Sequence, residues 1–367
     1  MIADAVQNPV QASAPAAQPF IVSPGFDAFF FFGSVGAVFL GYAAANVFHV
    51  AGFYVLAAVA IVSNGPHLAS TWTRVYLDKR EWRRRPFQIT AIPLAIAAAT
   101  AWLTFHGELR LLNSVLLYYA TYHFLQQNWG LLRIYQKRSP EAALRGSAAL
   151  PLRLERPLLY LSVAWCALHR LKTGPRALFG TEVYYPDVPW PALHALLAVS
   201  ACLLAVYLVL RARDGSLRER ATWVRMGFLA VAFTGFAVPF LLITEDGTSA
   251  FAAAAAWHGL QYIGIVRFYH QNAWKAGQHR DSTIMSFVSQ PGPWRGVLYA
   301  CMLWALAGAG FLVIYAGAYA TRGTAFTLAT WEGVTWLSLT FSHYYLDGII
   351  WKLSRDKTLA ARLLVAA

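Results

Sequence analysis

Four histidines stand singly inside long apolar stretches of the chain: His67, His123, His258 and His343. Each precedes a basic residue by seven to ten positions, namely Arg74, Arg133, Arg267 and Lys352. Ionisable side chains inside a membrane are costly and usually functional. Imidazole accepts iron, zinc or copper, so one histidine from each of four segments suits a single divalent transition-metal ion held between helices. The pattern is not one of the familiar histidine arrangements. Clustered HxxxH or HxxHH boxes are absent, no HExxH motif occurs, and no helix carries a convincing pair of haem-spaced histidines.

Acids and amides accompany the histidines. Asp347 follows His343 by one helical turn and Glu332 precedes it by three, so both lie on or near its face. Four neutral imidazoles would leave a divalent charge in a low-dielectric site, and a carboxylate beside them would orient His343 and offset that charge. Asp347 alternatively pairs with Lys352 or Arg355. Gln126 and Gln127 share the face of His123, and Gln261 and Tyr262 that of His258. Such side chains either fix imidazole tautomers and contact substrate, or simply bond helix to helix. Pro66 precedes His67 and breaks the helix, which aims the imidazole inward or frees a carbonyl for it to satisfy. His270 lies about 18 Å along the helix from His258 and is assigned to the interface or to a polar cluster with Gln271 and Asn272. His49, His106, His169, His194 and His279 fall at helix ends or in connectors and receive no chemistry.

The elements that position these residues are membrane helices. Of 367 residues, 58% are hydrophobic and 13% charged, with mean hydropathy +0.45, which makes the chain an all-α polytopic membrane bundle. Apolar runs place about ten transmembrane helices at 27–48, 51–78, 87–105, 110–135, 157–171, 190–211, 222–243, 249–274, 296–320 and 325–352. The fifth is short, between Arg156 and Arg170, and either spans or is re-entrant. Residues 1–25 read as a flexible tail, 26–352 as one membrane domain and 353–367 as a C-terminal tail. Cys166, Cys202 and Cys301 stand alone and read as small core residues.

The formal charge of +13 orients the chain rather than marking a nucleic-acid surface, because basic residues bunch in short connectors such as 79–85. Connectors after helices two, four, six and eight, with the C-terminal segment, hold most of the Lys and Arg residues. The opposite side has Arg110, Arg170, Lys172, Arg176 and Arg322. The positive-inside rule then puts both termini in the cytoplasm. All four histidine-bearing helices run toward the cytoplasm, and seven to ten residues correspond to about 10–15 Å. The histidines thus form a layer inside the basic boundary. An internal repeat supports this: His123-Phe124-Leu125-Gln126 resembles His258-Gly259-Leu260-Gln261, with Arg133-Ile134-Tyr135 and Arg267-Phe268-Tyr269 following. Arg74 and Arg267 read as snorkelling anchors or as contacts for an anionic head group. Loop 173–190 reads as a lid on the outer surface.

The arrangement Pro66-His67, His123, His258 and His343 resembles the Brp/Blh family of bacterial carotene dioxygenases, in which histidines from separate helices hold one iron. The segments NGPHLASTW, YHFLQQNWG and FSHYYLDGIIWK also resemble uncharacterised bacterial membrane proteins. In the Brp/Blh family the Pro-His pair continues into Gly and an acidic residue, whereas here it continues Leu68-Ala69-Ser70-Thr71. The resemblance implies Fe(II), with zinc or copper as alternatives, and an oxidoreductase acting with O₂ on a lipid or isoprenoid substrate, fed by an electron donor. Two other readings remain. Trp257-His258-Gly259 is similar to the motif around the catalytic histidine of membrane-bound O-acyltransferases, and a transporter or haem-binding protein would also use polar helices.

Overall fold

Long apolar runs with few interior breakers become helices in the computed structural model of the chain, which describes residues 19–279, 283–324, 326–353 and 355–364. The helices of 20 residues or more are α1 (Pro24–Val47), α2 (Gly52–Val75), α3 (Pro86–Phe105), α4 (Leu109–Arg138) and α5 (Leu150–Thr173), followed by α6 (Trp190–Arg213), α7 (Arg220–Leu242), α8 (Gly247–Lys275), α9 (Pro293–Ala320) and α10 (Leu328–Ile350). Each run expected from the sequence is helical. Short helices cover Lys79–Arg84, Thr283–Val288 and Lys357–Leu364. The strand content among the described residues is one two-residue hairpin, Ala177–Leu178 with Thr181–Glu182.

Among the described residues, six helices are both long and apolar enough to cross a membrane: α1, α2, α3, α6, α7 and α9. The other four have the length but carry more polar residues, and three of them bear site histidines. The reason is visible in their packing. In α8 the buried set includes His258, Gln261, Arg267 and His270, and every residue from Ala252 to Gly259 is buried. A helix enclosed on all sides by neighbours faces protein rather than lipid, so its polar groups meet partners.

Helices α2, α4, α8 and α10 run parallel. At their C-terminal ends Arg138 donates to the Leu363 carbonyl, Asn272 to the Arg362 carbonyl, and Arg80 to Asp356. The C-terminal segment therefore holds a docked helix, with Leu359 and Leu363 in the core. At the N-terminal end, the Ile21 and Val22 amides donate to Asp27 and Ile21 is fully buried. Ile21 and Val22, which the sequence assigns to a flexible tail, are thus fixed on the bundle; residues 1–18 of that expectation lie outside the described residues.

The fifth helix is longer than its apolar run suggested, because its charges are neutralised internally. Glu155 of α5 and Glu141 accept from Arg211 of α6, at 2.9 and 2.5 Å, and from Arg225 of α7, at 3.3 and 2.5 Å. Two buried arginines and two buried glutamates cancel, which joins α5, α6 and α7 at the basic end. Loop 173–190 is pinned to the other end of the bundle. Asn113 donates to the Leu178 carbonyl, the Phe179 amide to Thr248, and the Tyr184 amide to Ser114.

Candidate metal centre

His67 enters the bundle through an irregular stretch of α2. Pro66 has no amide hydrogen and its ring excludes the preceding carbonyl; a π-helical turn over Ala60–Asn64 takes up the extra residue. Gly65 belongs to the same device. A Cβ there would lie 2.7 Å from the Ala60 carbonyl oxygen and 3.1 Å from Cβ of Ala307, so α2 and α9 meet where only glycine fits. On the facing helix, a Cβ at Gly259 would lie 3.3 Å from Cβ of His67. That close approach brings His67 and His258 together.

The four histidines converge. His67, His123, His258 and His343 are all buried, and each offers a ring nitrogen lying within 4.8 Å of those of the other three. Ring centroids are 4.3 Å apart for His67 and His343, 4.8 Å for His67 and His258, and 4.9 Å for His123 with both His258 and His343. Metal–imidazole bonds of about 2.0–2.1 Å would require the ring nitrogens to draw closer together than 4.8 Å to close around one ion.

The donor set fits a metal on a second count. His258 is fully buried, yet neither of its ring nitrogens has a hydrogen-bond partner, and Nδ1 of His67 also lacks one. Buried polar atoms are normally satisfied, and a cation among the four rings would satisfy one nitrogen of each imidazole. Phe124 stacks on His258 at 4.2 Å and holds its ring.

A hydrogen-bonded support stands behind His343. Its Nδ1 is 2.7 Å from Thr71 Oγ1, which leaves Nε2 for a metal when Nδ1 carries the proton. Thr71 lies 2.7 Å from the Tyr262 hydroxyl and 3.3 Å from Asp347 Oδ1. The Tyr262 hydroxyl donates to Asp347 at 2.5 Å and accepts from the Trp351 indole at 3.0 Å. The second carboxylate oxygen of Asp347 is 3.8 Å from His123 Nε2. Asp347 is thus placed beside two of the imidazoles, rather than paired with Lys352 or Arg355.

The remaining expected residues take other places. Gln127 donates to the backbone carbonyl of His258 and to Gln261, and Gln261 donates to the Phe31 carbonyl. These amides bond helix to helix, and none of these hydrogen bonds goes to an imidazole ring. Gln126 donates to Tyr160. Glu332 is half-buried, about 16 Å along α10 from His343, and lies outside the cluster. Arg74 does not snorkel. It is fully buried, pairs with Glu81 at 3.1 Å and Asp78 at 3.3 Å, and stacks on Tyr269 at 4.1 Å. Arg267 donates to the carbonyls of Val288 and Gln290, holding the end of a short helix.

His270 is fully buried rather than interfacial, in a cluster with different partners from those expected. Its Nε2 meets Thr73 at 3.0 Å and its Nδ1 meets His279 at 3.2 Å. His279, which the sequence left without a role, is itself buried. Thr71 and Trp351 went unnoticed in the sequence. Thr71 sits four residues after His67 on one helical face, and that spacing was the available signal.

A cavity of about 390 Å³ reaches the cluster from the side. His123, Asp347 and Tyr262 form part of its wall, and α4 and α10 supply most of the rest. Compared with known protein families, curated proteins and solved structures, the chain matches none.

Proposed function

We propose that the protein is a membrane-embedded, metal-dependent oxidoreductase that acts with O₂ on a lipid or isoprenoid substrate. His67, His123, His258 and His343 would hold one divalent ion, iron in this reading, with zinc and copper as the alternatives that imidazole also accepts. The observation that carries the reading is the convergence of four buried imidazoles against a cavity walled by His123 and Asp347. A bound iron would supply oxygen activation. The chain's own residues do the rest. Thr71 fixes the His343 tautomer, Asp347 offsets the charge, and the enclosing helices keep water from the reacting groups.

In this reading all ten long helices cross the bilayer, the basic end faces the cytoplasm of a bacterial inner membrane, and an electron donor approaches from that side. Acyl transfer from His258 is less well supported, because His258 is fully buried and is not part of the cavity wall. Elemental analysis of purified protein tests the proposal. One tightly bound iron per chain, with substrate-dependent O₂ consumption, is the expected result. Less than one bound metal, or metal retained after His123, His258 and His343 are all changed to Ala, overturns it.

A further inference from the structure

The cavity beside the histidines has an architecture of its own. Gly130 of α4 and Gly348 of α10 both line it, and a Cβ at either position would meet nothing within 4 Å. Gly348 is exposed, as are Tyr119 and Tyr122 on the neighbouring wall, so the cavity opens sideways through the outer surface of the bundle. Toward the basic end its wall is apolar, with Leu131, Ile134 and Leu353. At that end stands Lys352, exposed and without a carboxylate partner among the described residues. The nearby Asp356 is already engaged by Arg80 and Arg84.

A lone ammonium over an apolar passage recognises a particular shape of molecule. We propose that this cavity binds a single-chain amphiphile with an anionic head group, entering laterally from the bilayer. The head pairs with Lys352, the first part of the chain lies along Leu131 and Ile134, and a mid-chain carbon rests against His123 and Asp347. Lys352 stands two residues past the end of α10 and five past Asp347, so a short apolar stretch separates the head group from that carbon. The cavity has room for about thirteen water volumes of about 30 Å³ each, enough for the inner part of a chain whose tail leaves past Tyr119 and Tyr122. The inference deepens the proposed function by naming its substrate class, but binding itself does not require the metal.

Photolabelling of the full-length protein in a neutral detergent tests it, with a diazirine-bearing palmitic acid as probe. Adducts are expected within residues 119–134 and 344–353. Palmitic acid and hexadecyl phosphate should compete, and hexadecanol should compete several-fold less well, a difference that disappears in Lys352→Gln. Gly348→Leu and Gly130→Leu should each block labelling while the protein keeps its metal content and its melting temperature, since leucine favours a helix more than glycine does. Adducts elsewhere, or labelling untouched by both glycine variants, would overturn the site. Equal competition by acid and alcohol would overturn the anionic head. Specific labelling of protein that binds no metal supports the site and counts against the metal reading alone.

Discussion

Nδ1 of His343 lies 2.7 Å from the hydroxyl of Thr71, joining two residues 272 positions apart in the chain. The contact makes α2 a double contributor to the site, through His67 directly and through Thr71 behind His343. From Thr71 the network continues to Tyr262 and Asp347. With His343 Nε2 also 3.1 Å from His123 Nε2, all four histidine-bearing helices share one set of hydrogen bonds around the imidazoles.

Removing that support should weaken metal binding without abolishing it. Thr71→Val keeps the shape and deletes the hydroxyl, leaving the His343 tautomer unfixed. Loss of such an outer partner lowers metal affinity by about 10–100-fold. Competition against a chelator of known affinity measures the change. Affinity equal to the parent protein would show that Thr71 does not set the tautomer.

Asp347→Asn separates charge from shape. The amide can still meet Tyr262, but the negative charge beside His123 and His343 is gone. Metal affinity should fall, and more steeply than in Thr71→Val if charge compensation is the larger effect. The same chelator titration reads the order of the two variants.

Gly65→Ala tests how His67 is delivered. The added methyl would stand 2.7 Å from the Ala60 carbonyl oxygen and 3.1 Å from Ala307 Cβ, so the wide turn before His67 must shift. Bound metal should decrease although every ligand is retained. Elemental analysis against a control such as Gly296→Ala, where a Cβ meets nothing within 4 Å, isolates the effect.

The buried quartet at the basic end predicts a large stability effect. Arg211→Leu leaves Glu141 and Glu155 with one arginine between them, in a site where Arg211 is fully buried. Breaking a buried ion pair on one side costs about 3–5 kcal/mol. The thermal unfolding temperature in detergent should drop markedly, and Arg211→Leu combined with Glu155→Leu should recover part of the loss.

Docking of the C-terminal helix should respond to acid. Burial by itself would raise the Asp356 carboxyl, but the Leu359 amide and the Arg84 and Arg80 guanidinium groups overcome it and bring the value down to about 2. The free carboxyl titrates near 3.8. A carboxylate depressed on folding stabilises the docked state above the unfolded value, and that contribution is lost as pH falls through the folded one. Protease protection of Lys357–Leu364 should therefore decline between about pH 4 and pH 2. In Asp356→Asn it should be weak throughout and flat across that window.

How much of this was legible beforehand follows from the range of each signal. Helix positions are written in local hydropathy, so the runs around residues 87–105 and 190–211 match α3 and α6 closely. The fifth helix, Leu150–Thr173, extends beyond its apolar run because Glu155 and Arg156 interrupt the apolarity but not the helix. The neutralising Arg211 and Arg225 lie on other helices, more than 50 residues away. Arg74 is the opposite case: its carboxylate partners Asp78 and Glu81 lie only four and seven residues on, and Tyr269 alone comes from a distant helix.

The sequence by itself determined a helical membrane-type chain and four histidines at one depth, because charge in an apolar run is costly wherever it occurs and therefore stands out. Depth is a property of each helix taken singly. Rotation and neighbour choice are not, and the tertiary structure alone decided them. It turned Gln127 and Gln261 to helix-to-helix bonding, left Glu332 remote, and brought Thr71 and Trp351 to Asp347 and Tyr262. It also opened the cavity at Gly130 and Gly348. Each outcome depends on which helix faces which, a relation set by packing between residues far apart in the chain and carried by no local periodicity.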